Sequence, residues 1–234
     1  MKTPSEWLLA FNQYYNNIMS NRAPGLEPIE ISRFLTDAEY AIVIGLDNGS
    51  ITTSFEGSEQ VTDYLATLVK QITLNPEDDD ALPVYNAAMS YVFKLPDGVL
   101  FRKMEICTLE GTDCGDSFNV QVVPVTQDEL IRTMRNPYKR PNNRRVLRLS
   151  YAKYDNDEET AYSELVSKYK VKDYAVRYLA RPKPIIVPGL VSGQTIDGYP
   201  TPHSSAGLAC ELPEPVHQMI LEQAVKLAKA VWAE

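Results

Sequence analysis

The chain has 234 residues, 44% hydrophobic and 23% charged, which suits one large folded domain or two small ones with a sizeable core. Its formal charge of −8 argues against nucleic-acid binding by bulk attraction. Cys107, Cys114 and Cys210 are odd in number and form no Cys-x-x-Cys pair, so neither a disulfide framework nor a zinc site is expected.

Near the start, the tightest apolar run is Trp7 to Phe11, too short for a signal-peptide core. No stretch approaches the roughly eighteen apolar residues of a membrane span. Thr3-Pro4-Ser5-Glu6 reads as a capping box, and Trp7, Leu8, Phe11, Tyr14, Tyr15 and Ile18 line one face of the helix it opens. Asn21 to Gly25 stops that helix. Pro28 opens a second, with Ile31, Leu35, Ala38 and Ile42 as its stripe, and Asp47-Asn48-Gly49 ends it. A third runs from about Ser58, with Val61, Leu65, Leu68 and Ile72 inward, and stops before Asn75-Pro76.

Residues 75–83, NPEDDDALP, form an acidic linker, and beyond it the period changes. Tyr91 to Leu95 and Val99 to Met104 flank the turn Pro96-Asp97-Gly98, in which Pro fixes φ and Gly takes φ > 0. Phe118, Val120 and Val122 alternate with Asn119 and Gln121, which suggests a three-stranded meander. Thr126-Gln127-Asp128-Glu129 is a second capping box, opening a short helix to about Arg135. Leu147, Leu149 and Tyr151 alternate with polar residues, and Tyr162 to Tyr169 and Tyr174 to Leu179 are further strand candidates. From Arg181 the segment RPKPIIVPGL is extended and proline-braced.

The chain closes on a helix. Pro213 and Pro215 suit a first turn, Glu211 and Glu214 lie near its positive end, and Lys226 and Lys229 near its negative end. Val216, Ile220, Ala224, Leu227 and Val231 make one apolar stripe. The order of elements predicts an α+β fold. Residues 1–75 and 211–234 form an α-helical part from N-terminal helices and the long C-terminal helix. Residues 84–187 form a central antiparallel β-rich part, and residues 188–210 an extended loop.

Signals for catalysis are thin. His203 lies beside Ser204 and Ser205, but no Gly-x-Ser-x-Gly elbow supports a nucleophile there. Neither a Gly-x4-Gly-Lys phosphate loop nor a Gly-x-Gly-x-x-Gly occurs. Asp155 to Glu159 lacks the spacing and glycine of an EF-hand and reads as a solvated hairpin turn. No catalytic residue, metal or cofactor is expected.

One charge feature stands apart. Arg132 to Arg148, RTMRNPYKRPNNRRVLR, holds seven of the 23 basic residues in seventeen positions, with no acid among them. It reads either as a solvated loop that keeps strands soluble or as a patch facing phosphates or an acidic partner. Arg135, Lys139, Arg140, Arg144 and Arg145 are the candidate contacts. Tyr138 is the lone aromatic there, which disfavours specific single-strand recognition. The acidic run Glu77 to Asp80 offers an opposite charge that a neighbouring copy could present.

Four segments carry a resemblance: NNIMSNRAPGLEPIEISRFLTDAEYAIV (Asn16 to Val43), SFEGSEQVTDYLATLVK (Ser54 to Lys70), YLARPKPIIV (Tyr178 to Val187) and CELPEPVHQMILEQAVKLA (Cys210 to Ala228). Together they resemble a virion structural family of crAss-like podoviruses, the ring or head-to-tail connector proteins. The layout is also similar to tail tubular, gatekeeper-type adaptors of short-tailed phages. The resemblance implies a non-enzymatic virion protein of the neck or tail, assembled in the host cytoplasm. It implies a homo-oligomeric twelvefold ring below the portal protein, next to other ring proteins and with genomic double-stranded DNA in its channel. The closing-helix stripe Val216, Ile220, Ala224, Leu227 and Val231 would then pack within or between subunits. A DNA-binding accessory or assembly protein using residues 132–148 is the alternative.

Overall fold

The structure, a computed structural model, describes residues 2–18, 25–51, 59–76, 85, 89–110, 117–155, 158–190, 195–196, 199–200 and 207–232. His203, Ser204, Cys114 and the acidic run Glu77 to Asp80 lie outside them. The chain divides into two compact units: a helical one from Met1–Leu68 and Arg181–Glu234, and a sheet unit, Val69–Ala180.

In the helical unit, α1 (Pro4–Ile18) starts at the expected capping box. The Glu6 N–H donates to Thr3 Oγ1 at 3.3 Å, and the Thr3 N–H to Glu6 Oε2 at 2.7 Å. That bond to backbone and hydroxyl holds the Glu6 carboxyl below its ordinary range. α2 (Pro28–Asn48) ends where the Asp-Asn-Gly turn predicts, with Gly49 left-handed at φ 75 and its N–H on the Gly45 carbonyl. α3 is shorter than expected. It spans Glu59–Leu65, and the chain is already in strand β1 at Val69–Leu74, so Ile72 belongs to a sheet. Tertiary pairing overrode the helical spacing there: β1 aligns with Tyr174 to Leu179 across six residue pairs.

After the sheet unit, the chain returns as an extended strap. Ile185, Ile186 and Val187 are buried, and the Val187 N–H donates to Ser32 Oγ on α2 at 3.0 Å. Ile186 pairs with Leu208 through two backbone bonds of 3.0 and 2.8 Å. Gly207, at φ 68, must be glycine, because any Cβ would collide with the Ile186 carbonyl oxygen. Residues Thr195–Ile196 (β8) and Tyr199–Pro200 (β9) pair in between. The closing helix α5 (Glu214–Trp232) packs on α2 and α1, so Trp7, Phe11, Leu35 and Val43 share a core with Val216, Ile220 and Ala224.

The sheet unit is one seven-stranded sheet in the order β1-β7-β3-β4-β5-β6-β2. The remaining strands are β2 (Ser90–Lys94), β3 (Val99–Glu110), β4 (Ser117–Pro124), β5 (Arg145–Asp155), β6 (Glu158–Val166) and β7 (Val171–Ala180). The α+β class holds, but the sheet is mixed rather than antiparallel throughout. β4 runs parallel to β5, with Val122 opposite Val146, because the helix α4 (Gln127–Arg135) carries the chain back between them. Nor do β2, β3 and β4 form the expected meander. β3 and β4 pair as a hairpin, whereas β2 pairs with β6 at the edge. The Pro96-Asp97-Gly98 turn forms, with Gly98 at φ 75, yet it joins strands that are not neighbours in the hydrogen-bond order. A connection of four residues spans roughly 14 Å at most. The edge strand β2 therefore lies close to β3, and the sheet curls on itself. Its interior is apolar at Phe93, Leu95, Cys107, Leu109, Val120, Val146, Leu165 and Val176.

Candidate interaction surface

The basic segment is presented by α4 and the turns that follow it. Leu130 fastens α4 to the outer face of the sheet against Leu147, Leu149 and Val166, with Met134 beside them. α4 starts without the expected side-chain cap at Thr126; the Thr126 carbonyl accepts from the N–H groups of Glu129 and Leu130 instead. Asp128 and Glu129 occupy its first turn and Arg132 and Arg135 its last, each matching the sign of the helix dipole.

Two asparagines then shape the turns. Asn136 Oδ1 accepts from the Tyr138 N–H at 2.9 Å, and Asn142 Oδ1 from the Arg144 N–H at 2.8 Å. This geometry holds Lys139, Arg140 and Arg144 outward. Arg132, Arg135, Lys139, Arg140 and Arg144 are all exposed, and among the described residues no carboxylate lies within 4 Å of their charged nitrogens. Arg145 differs: it is half-buried, and its Nη1 donates to the Tyr138 carbonyl at 3.3 Å, bracing the turn. Arg148 points into the sheet, its Nε 3.3 Å from Glu105 Oε2. The sequence thus located the patch; the structure divides it into five outward cations, one brace and one interior ion pair.

Apolar surface is interleaved with the charge. Ile131 and Tyr138 are 60% and 87% exposed. A cleft of about 470 Å³ is lined by Met89, Met134, Pro141 and Tyr169 together with Arg140 and Lys168.

The closing-helix stripe is placed differently from the basic patch. Val216, Ile220 and Ala224 are fully buried inside the helical unit, Leu227 is half-buried, and Val231 is 60% exposed. Only the C-terminal end of the stripe offers apolar surface outward.

Two buried polar clusters had no local sequence signal. In the helical unit Glu39 is fully buried on α2, and the Cys210 thiol donates to its Oε1 at 2.9 Å. Burial raises the Glu39 carboxyl to about 8, offset in part by that bond, so it is protonated at neutral pH. Burial beside Glu39 likewise pushes the Cys210 thiol up. His217, on α5, donates from Nε2 to the Leu212 carbonyl at 2.9 Å and lies 5.0 Å from the Trp7 ring. Desolvation lowers its pKa, which favours the neutral ring. In the sheet unit Glu105 accepts from the Tyr174 hydroxyl and faces both Arg102 and Arg148. Arg102 reaches across to the hydroxyls of Ser150 and Ser163 at 3.1 and 3.2 Å. These partners sit 69, 48 and 61 positions apart along the chain, so no spacing rule could pair them.

Among the described residues, this two-unit α+β chain carries a braced basic patch with exposed apolar side chains and no cluster suited to a metal ion. The chain belongs to the phage tail ring protein 3/4 family, whose pattern matches residues 2–233. It is 35% identical over 208 residues to ring protein 3 of Bacteroides phage crAss001, covering 87% of this chain and 84% of that one. It is also 32% identical over 249 residues to ring protein 4/5 of the same phage, covering 97% and 92%. It is accordingly a bacteriophage ring protein, a structural component of the virion, and ring proteins as a class are structural rather than enzymatic. No described helix is long and apolar enough to cross a membrane.

Proposed function

We propose that this chain is the subunit of a closed ring in the neck or tail of the particle, joining the portal protein to the tail and continuing the DNA channel. The observation that carries this reading is the match to a tail ring family over residues 2–233, covering both units rather than one. A ring subunit repeats one surface around an axis and closes through heterologous contacts. Twelve copies would match a portal of the same symmetry, with assembly in the host cytoplasm. Quantitative mass spectrometry of purified particles tests it. A ratio to portal protein near one is expected, and absence from the particle would overturn the reading.

Five outward cations with no carboxylate partner among the described residues favour one alternative, a DNA-binding accessory or assembly protein. Such a protein binds duplex DNA with a steep salt dependence, since each neutralised phosphate releases counterions.

A further inference from the structure

We infer that the α4 surface is one half of the contact between neighbouring copies of this chain, and that the acidic helical unit of the next copy is the other half. This rests on the ring reading and specifies which faces meet.

The first observation is charge segregation. Residues 132–148 hold seven bases and no acid, while the helical unit holds fourteen acids against seven bases, a formal net −7, or −6 with buried Glu39 protonated. Copies carrying −8 each repel one another unless opposite patches are apposed. Apart from buried Glu39, the helical unit places acids on its surface: Glu59 and Asp63 on α3 are both exposed and four residues apart, hence on one face, and Glu214 and Glu222 are exposed on α5. The second observation is chemical. The five outward cations share residues 131–144 with exposed Ile131 and Tyr138, and one of them, Arg140, lines a cleft with Met89, Met134, Pro141 and Tyr169. A phosphate backbone offers nothing apolar to those side chains, whereas a protein surface does. Methionine adapts to whatever side chain enters. The third is symmetry: a basic face meeting an unlike acidic face is a head-to-tail contact, the kind that generates a ring.

The test couples carboxylates to amines with a zero-length carbodiimide in intact particles, read on denaturing gels and by peptide mass spectrometry. Lys139 and Lys168 are the amines on this surface. Covalent multiples of the chain are expected, joined from either lysine to Glu59, Asp63, Glu214 or Glu222. Arg135→Glu, Arg140→Glu and Arg144→Glu together should lower copies per particle at least about tenfold through like-charge apposition. All three side chains are exposed, so the melting temperature of the isolated chain should fall only slightly, through the Arg135 charge at the C-terminal turn of α4. Adding Glu59→Lys and Asp63→Lys should restore incorporation. Coupling solely to a different virion protein, or normal copy number with lost duplex binding in the triple variant, would overturn the inference and favour another partner or DNA. Normal stoichiometry without these couplings defeats this inference alone; absence of the chain from wild-type particles defeats the ring reading with it.

Discussion

Replacing Glu39 by Gln should remove one buried titration from the pH dependence of stability. The folded carboxyl holds its proton up to about pH 8, while the unfolded chain releases it near 4.5. Between those values folding takes up a proton, so stability is fully present below 4.5 and is lost as pH rises towards 8. Each pH unit is worth about 1.4 kcal/mol, so Glu39 alone withdraws about 4 kcal/mol between pH 5 and pH 8. The cause is burial: Glu39 is fully inside the helical unit, one oxygen accepts from Cys210, and the other has no partner among the described residues. Glutamine keeps the shape and the acceptor but does not titrate. Its unpaired amide adds a constant cost of about 1–3 kcal/mol, which does not vary with pH. The assay is urea unfolding of both proteins at pH 5, 6, 7 and 8, followed by fluorescence, with fully buried Trp7 reporting on the same unit. The stability difference between them should shift steadily in favour of the variant as pH rises. Parallel profiles across this range would refute the buried, protonated carboxyl.

Glu105→Ala should destabilise the sheet unit by about 3 kcal/mol or more, because Arg102 and Arg148 then face each other without the carboxylate between them; chemical denaturation checks it. Gly207→Ala should cost about 1–3 kcal/mol, since its left-handed backbone and the Ile186 carbonyl leave no room for a Cβ; a thermal melt measures this. Ala224→Arg puts a charge into a fully buried position and should prevent the helical unit from folding, as circular dichroism would show. Val231→Glu, at a 60% exposed site, should leave the melt unchanged and so tests the end of α5 as an intersubunit surface by incorporation into particles.

Local chemistry was legible throughout the helical elements. The Thr3-Glu6 box, the Asp-Asn-Gly stop of α2 and the stripe of α5 each depend on residues within one or two turns, and each forms. The basic patch was legible for the same reason, since its cations fall within seventeen residues and its asparagine turns are local. Ile72 misled because its spacing fits a helix, while its strand conformation is decided by Val176 across the sheet. The meander misled in the same way: a sound turn at Gly98 says that the chain reverses there, not which strand it pairs with. Strand periodicity is identical for every partner, so the parallel β4–β5 pair and the curl of the sheet were invisible until α4 was placed between them.

The sequence by itself determined the secondary elements with local signatures, the α+β class, the sign and place of the charged surface, and the family. Tertiary structure alone decided which cations face outward, that Arg148 turns inward to Glu105, that three residues of the α5 stripe are spent on the core, and that Glu39 meets Cys210. The division follows the range of the forces. Caps, turns and periodicity act over a few residues, whereas burial and ion pairing depend on which distant segments the fold brings together.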